Sequence, residues 1–99
     1  MTSGSISGMT IAHMDNLLQN LEMPEEVKNR IRFVCNKCLK AGIMYRSGIE
    51  SVNGAIVYYV CKSNKVPIDI DKLAELSKTT KNKIIAMVDG LKGTFLSFR

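Results

Sequence analysis

Cys35-Asn36-Lys37-Cys38 has the spacing of half a zinc site, and Cys61 with His13, the chain's single histidine, would complete a four-ligand set. The surrounding residues argue for another reading. Both paired cysteines fall within a helical apolar pattern, where positions i and i+3 share a face, whereas zinc knuckles present their thiolates from a turn. Free cysteine is a common small core residue, so all three are read as reduced and buried, with no metal and no cofactor. His13 has no Ser or Cys nucleophile near it in sequence and is read as a surface or capping residue. Asp69 and Asp71 could form a carboxylate pair, yet both fall at a helix start, where capping and the helix dipole account for them. No glycine-rich phosphate loop follows a strand. Nothing in these patterns calls for an enzyme.

Basic residues remain. Lys78, Lys81 and Lys83, with Thr79, Thr80 and Asn82 among them, combine positive charge, small hydroxyls and one amide at a helix N-terminus. That mixture suits phosphate contacts and one base edge; the alternative is a merely solvated turn. Arg46 and Ser47 form a second, smaller polar segment. Lys28, Arg32, Lys37 and Lys40 read as a solvated helix face or a surface facing an acidic protein partner.

The spacing of apolar residues predicts five helices and no strands, since nothing in the chain alternates apolar with polar. The first runs from about Ile11 to Leu21, with Ile11, Met14, Leu17, Leu18 and Leu21 on one side. Pro24, Glu25 and Glu26 give the second a strong start, and Val27, Ile31, Val34, Cys35, Cys38 and Leu39 form its core face until Ala41-Gly42 ends it. A loop, Tyr45-Arg46-Ser47-Gly48, leads to a third helix that is apolar on nearly every side from Val52 to Cys61, as befits the middle of a bundle. Gly54 in its interior implies that a neighbouring helix crosses closely there. Pro67 stops this segment. Asp69 then caps a fourth helix with Ile70, Leu73, Ala74 and Leu76 on one face, and Thr80 caps a fifth with Ile84, Ile85, Val88 and Leu91 at helical spacing. Two short helices around a tight polar turn make a helix-turn-helix candidate.

Ninety-nine residues suit one domain, and 45% hydrophobic with 23% charged residues indicates a folded core rather than disorder or a disulfide scaffold. A net charge of +5 permits phosphate contact without requiring it. Residues 1–9 read as a flexible arm or expression scar, 10–93 as the domain, and 94–99, with Phe95, Leu96 and Phe98, as a tail that folds back, docks elsewhere or opens a linker. The absence of a signal-peptide pattern or a long apolar run predicts a soluble intracellular protein, nuclear if eukaryotic.

Taken together, LEMPEEV, SGIESVNGAIVYYVCKSNKVP and DIDKLAELSKTTKNKI resemble a cyclin-like repeat of transcription factor IIB and its archaeal and viral relatives. The resemblance covers about Ile11 to Lys92. It rests on order and spacing: Leu21 to Pro24, Ile49 to Val52, Ala55 to Lys62, Val66-Pro67, and Leu73 to Ser77. It implies a five-helix cyclin fold that clasps promoter DNA beside the TATA-binding protein and touches RNA polymerase. The family's DNA contacts match Arg46 to Gly48 and Lys78 to Lys83 here. Ile84-Ile85-Ala86-Met87 stands where recognition helices of second repeats carry arginines, which suits backbone contact over deep base reading, and the Ile49 to Val52 entry with Lys81 to Ile84 is closer to a first repeat than a second. Full-length members carry a zinc ribbon and two repeats, so the sequence is either a fragment of a longer factor or a stand-alone single-repeat relative.

Two functions from different classes follow. The first is a DNA-binding module of an initiation factor, in which shape and phosphate contact dominate. The second is a protein-interaction module of the same fold that acts in transcription without touching DNA, favoured by the apolar residues of the last helix and the phenylalanine tail. A redox or metal protein built on the cysteines is a third, which would show bound zinc.

Overall fold

The computed structural model describes residues 5–92, apart from the side chain of Ser5. Six helices, and no strand, occupy the described residues: α1 (Ser5–Gln19), α2 (Glu25–Lys40), α3 (Ile43–Ser47), α4 (Ile49–Ser63), α5 (Ile70–Ser77) and α6 (Lys81–Leu91). The expected count of five misses α3. Its single turn is too short to show periodicity in sequence, and it forms because Gly42 and Gly48 bracket it with positive φ values of 75° and 89° while Ile43 and Met44 turn inward. The segment from Tyr45 to Ser47 is thus the end of a helix rather than a loop.

Helix α1 also starts earlier than its apolar spacing suggests, at Ser5, so residues 5–9 of the expected arm are helical. Its inner face is rotated. Ile11 is 46% exposed, and Thr10 is fully buried instead. A buried threonine is tolerated here because its hydroxyl donates to the Ile6 carbonyl at 2.7 Å, within its own helix. Pro24 stands one residue outside α2 as its N-cap, where its carbonyl accepts from Val27 N–H at 3.0 Å, and Glu25 and Glu26 fill the first turn.

Helix α4 is the centre of the bundle. Eight of its residues, from Val52 to Val57 with Val60 and Cys61, are buried, and it packs against each of the other helices. A helix apolar on nearly all sides must be enclosed in this way to remove its surface from water. At Gly54 both α6 and α5 press on α4: a Cβ there would lie 3.0 Å from Ile84 Cγ1 and 3.2 Å from Ser77 Oγ. The expected close crossing is therefore met at that residue, and only glycine fits without displacing a neighbour.

Both predicted caps of the last two helices form. Asp69 accepts from Asp71 N–H at 3.0 Å, and Thr80 Oγ1 accepts from Lys83 N–H at 3.2 Å. Between them Lys78, Thr79 and Thr80 form the turn from α5 to α6. Lys78 adopts the left-handed conformation at φ 67°, and Thr79 N–H returns to the Ala74 carbonyl at 3.0 Å.

Candidate nucleic-acid interface

The two polar segments singled out in the sequence each adjoin the first turn of α4, one along the chain and one through a side-chain contact. Arg46 and Ser47 close α3, Gly48 caps α4, and Ser51 lies in the first turn of α4. Ser51 Oγ is 3.1 Å from Thr79 Oγ1, which joins that first turn to the α5–α6 turn. Lys78, Thr80, Lys81, Asn82 and Lys83 are exposed around it, Thr79 is half-buried, and Arg46 and Ser47 are exposed on the α3 side. No acidic residue occupies the first turn of α6, so its backbone N–H groups and the lysines beside them are positive, while exposed Glu50 in the first turn of α4 adds one negative charge nearby. Chemically, the corner offers ammonium groups, hydroxyls and helix N–H donors on a rigid support, the set that a sugar-phosphate backbone accepts.

A polar network that sequence reasoning did not foresee lies beneath this corner. Asn53, fully buried in α4, donates through Nδ2 to the Thr10 carbonyl at 3.2 Å and to His13 Nδ1 at 3.0 Å. Its Oδ1 accepts from the Cys35 thiol at 3.6 Å. His13 Nε2 is 2.9 Å from the Ser77 carbonyl oxygen. A carbonyl oxygen only accepts, so the partners fit a neutral ring with its proton on Nε2 and its lone pair on Nδ1. His13 thus caps a helix C-terminus, as one of its sequence readings allowed, but the helix is α5, far along the chain. The available signal was Asn53 itself, an amide inside an apolar helix that had to find buried partners. Which partners it would find was not readable, because they lie on two other helices, α1 and α2.

The three cysteines are buried and unpaired. Burial pushes the Cys35 thiol up to about 12, with Cys38 and then Asp15 adding to the effect, and pushes Cys38 and Cys61 up to about 11. Such thiols hold their protons at neutral pH, as buried core residues do. His13, the fourth member of the imagined set, has both ring nitrogens engaged by Asn53 and Ser77. On α2, Arg32 lies 3.6 Å from Glu25 and 3.8 Å from Asp15, in an exposed cluster within the chain. Lys37 lies 5.6 Å above the Phe33 ring. No described helix is long and apolar enough to cross a membrane.

The described bundle is all-helical, with a mostly basic, exposed turn between α5 and α6, and similarity to known proteins gives the family. The chain is 37% identical over 73 residues to transcription initiation factor IIB of Methanopyrus kandleri, which covers 73% of this chain and 24% of that protein. It is 30% identical to transcription initiation factor IIB 1 of Thermococcus kodakarensis over 75% of this chain and 25% of that protein. A third relative, transcription initiation factor IIB of Ignicoccus hospitalis, is 24% identical over 83% of this chain. The chain belongs to the transcription initiation factor IIB family, as a repeat with an all-helical fold consistent with the cyclin type. It spans about a quarter of the length of the first two of these relatives. No family model matches the chain, and no solved structure matches it significantly.

Proposed function

We propose that this repeat is a non-enzymatic DNA-binding and partner-binding module of an initiation factor. In this reading it contacts promoter DNA next to a TATA-binding-protein complex and helps recruit RNA polymerase. Arg46, Ser47, Lys78, Thr79, Thr80, Lys81, Asn82 and Lys83 are the contact residues, with α5 and α6 as a helix-turn-helix that meets the phosphates. The observation that carries this reading is the Ser51 to Thr79 contact, which holds the α5–α6 turn against the first turn of α4, the helix that Arg46 and Ser47 lead into. Apolar Ile84 and Val88 serve the interior of α6, so specificity rests on shape and backbone more than on base edges.

The test is duplex binding across a salt series with Lys81→Glu combined with Lys83→Glu. Loss of two phosphate contacts lowers affinity at low salt by roughly a hundredfold and flattens the salt dependence by about two in log–log slope. Unchanged binding would remove the proposal.

A second reading, a protein-interaction module that never touches DNA, draws on Ile85, which is 42% exposed beside Ala86 on the outer side of α6. The phenylalanines of the tail, which also motivate it, lie outside the described residues. Here Ile85→Asp abolishes capture of basal transcription proteins and leaves duplex binding alone, whereas the lysine double variant does the reverse.

A further inference from the structure

We infer that His13 is a positioning residue for the Lys78 to Lys83 corner, acting from α1 through the last carbonyl of α5; the inference rests on the DNA-contact reading for its functional half only. The carbonyls in the last turn of a helix have no partner within it, and that of Ser77 receives one from the imidazole at 2.9 Å. Ser77 is itself fully buried, with its hydroxyl donating to the Leu73 carbonyl at 2.7 Å. One residue later Lys78 is exposed in the left-handed conformation, and one residue beyond that Thr79 is held to Ser51 of α4. The exposed lysine thus sits between two neighbours, each tied to a different helix.

The ring that makes the first tie has little freedom of its own. Asn53 Nδ2 donates to its other nitrogen, and Asn53 is fixed in turn by Thr10 and Cys35. Four elements, α1, α2, α4 and α5, therefore join in one chain of hydrogen bonds that ends on the turn. Its physical effect is to select one conformation for a corner whose φ at Lys78 a lysine rarely adopts unaided.

The experiment compares His13→Leu and His13→Gln with the unaltered chain. Gln can again place an N–H donor near the Ser77 carbonyl, whereas Leu fills the space without one. Amide hydrogen exchange is followed at Lys78, Thr79 and Lys83, and at Val57 and Val60 in the middle of α4; duplex affinity is measured at low salt. The expected result for His13→Leu is exchange at the turn amides faster by roughly tenfold beyond any change in α4, and a duplex affinity lower by about fivefold or more. His13→Gln recovers both to within about twofold. A uniform rise in exchange across turn and α4, or a Gln variant no better than Leu, overturns the inference, because His13 would then be an ordinary packing residue. If the unaltered chain binds no duplex, the DNA reading fails while the exchange data still decide whether His13 holds the turn.

Discussion

At the end of α4, Lys65 enters the left-handed region at φ 59° and Val66 N–H returns to the Cys61 carbonyl at 2.8 Å; at the end of α5, Lys78 does the same at φ 67° and Thr79 N–H returns to Ala74 at 3.0 Å. Both turns use lysine where glycine would be unstrained, and both close a helix with the same backbone pattern. They differ in what holds them. The hydrogen bonds described around Lys65 are local, with Asn64 bonding back to Val60 and Cys61. Those around Lys78 include side chains from α1 and α4. A chain reversal needs only local bonds. A corner whose orientation toward the rest of the molecule matters needs distant ones, and the α5–α6 corner has them.

The comparison breaks most severely at Gly54, which brings α4 against Ile84 and Ser77 on either side of that corner. Gly54→Val should destabilise the protein by about 2–3 kcal/mol through overpacking, measured by urea unfolding. Asn53→Leu leaves the Thr10 carbonyl, the Cys35 thiol and His13 Nδ1 without their shared partner and should cost about 2 kcal/mol in the same assay.

The turns themselves separate by substitution with glycine. Lys65→Gly and Lys78→Gly should each stabilise the fold by about 0.5–1 kcal/mol by relieving the left-handed strain. Only Lys78→Gly should weaken duplex binding, by about three- to tenfold in a titration at low salt. Equal losses of affinity, or none in either variant, would erase the distinction.

The smallest effect belongs to the interior that both turns share. A thiol whose folded value is raised binds its proton more tightly in the folded state, so its contribution to stability is intact below the unfolded value of 9.0. That contribution is lost as pH rises through the folded values of about 11 to 12. Urea midpoints should thus be insensitive to the cysteines up to about pH 9 and fall above it, less so in a Cys61→Ala variant.

The helices carried by strong periodicity were readable: α2, α4 and the pair α5 and α6, including the Asp69 and Thr80 caps. Gly54 announced its crossing because an interior glycine has few other uses. Helix α3 was not readable, since five residues between two glycines hold no repeat, and the start of α1 was not, since Ser5 to Met9 lack an apolar stripe. Of the candidate site, the exposed lysines were legible as a polar turn after an N-cap. Their support was not: His13 and Asn53 lie 40 residues apart in sequence and His13 and Ser77 lie 64 apart, and no local pattern encodes such partners.

The placement of α4 has a further consequence for how this chain can be divided. Every other described helix packs against it, so the segment after Asn64 has no interior of its own and the one before keeps α1, α2 and α3 on α4 but loses the cover of α5 and α6. Severing the connection between Lys65 and Asp69 would leave the front piece with the apolar face of α4 around Gly54 uncovered and the rear piece with two short helices lacking a surface to rest on. The chain is therefore expected to gain and lose its structure as one unit, and expression of either piece alone should yield insoluble or unstructured material that becomes ordered only when the two are mixed.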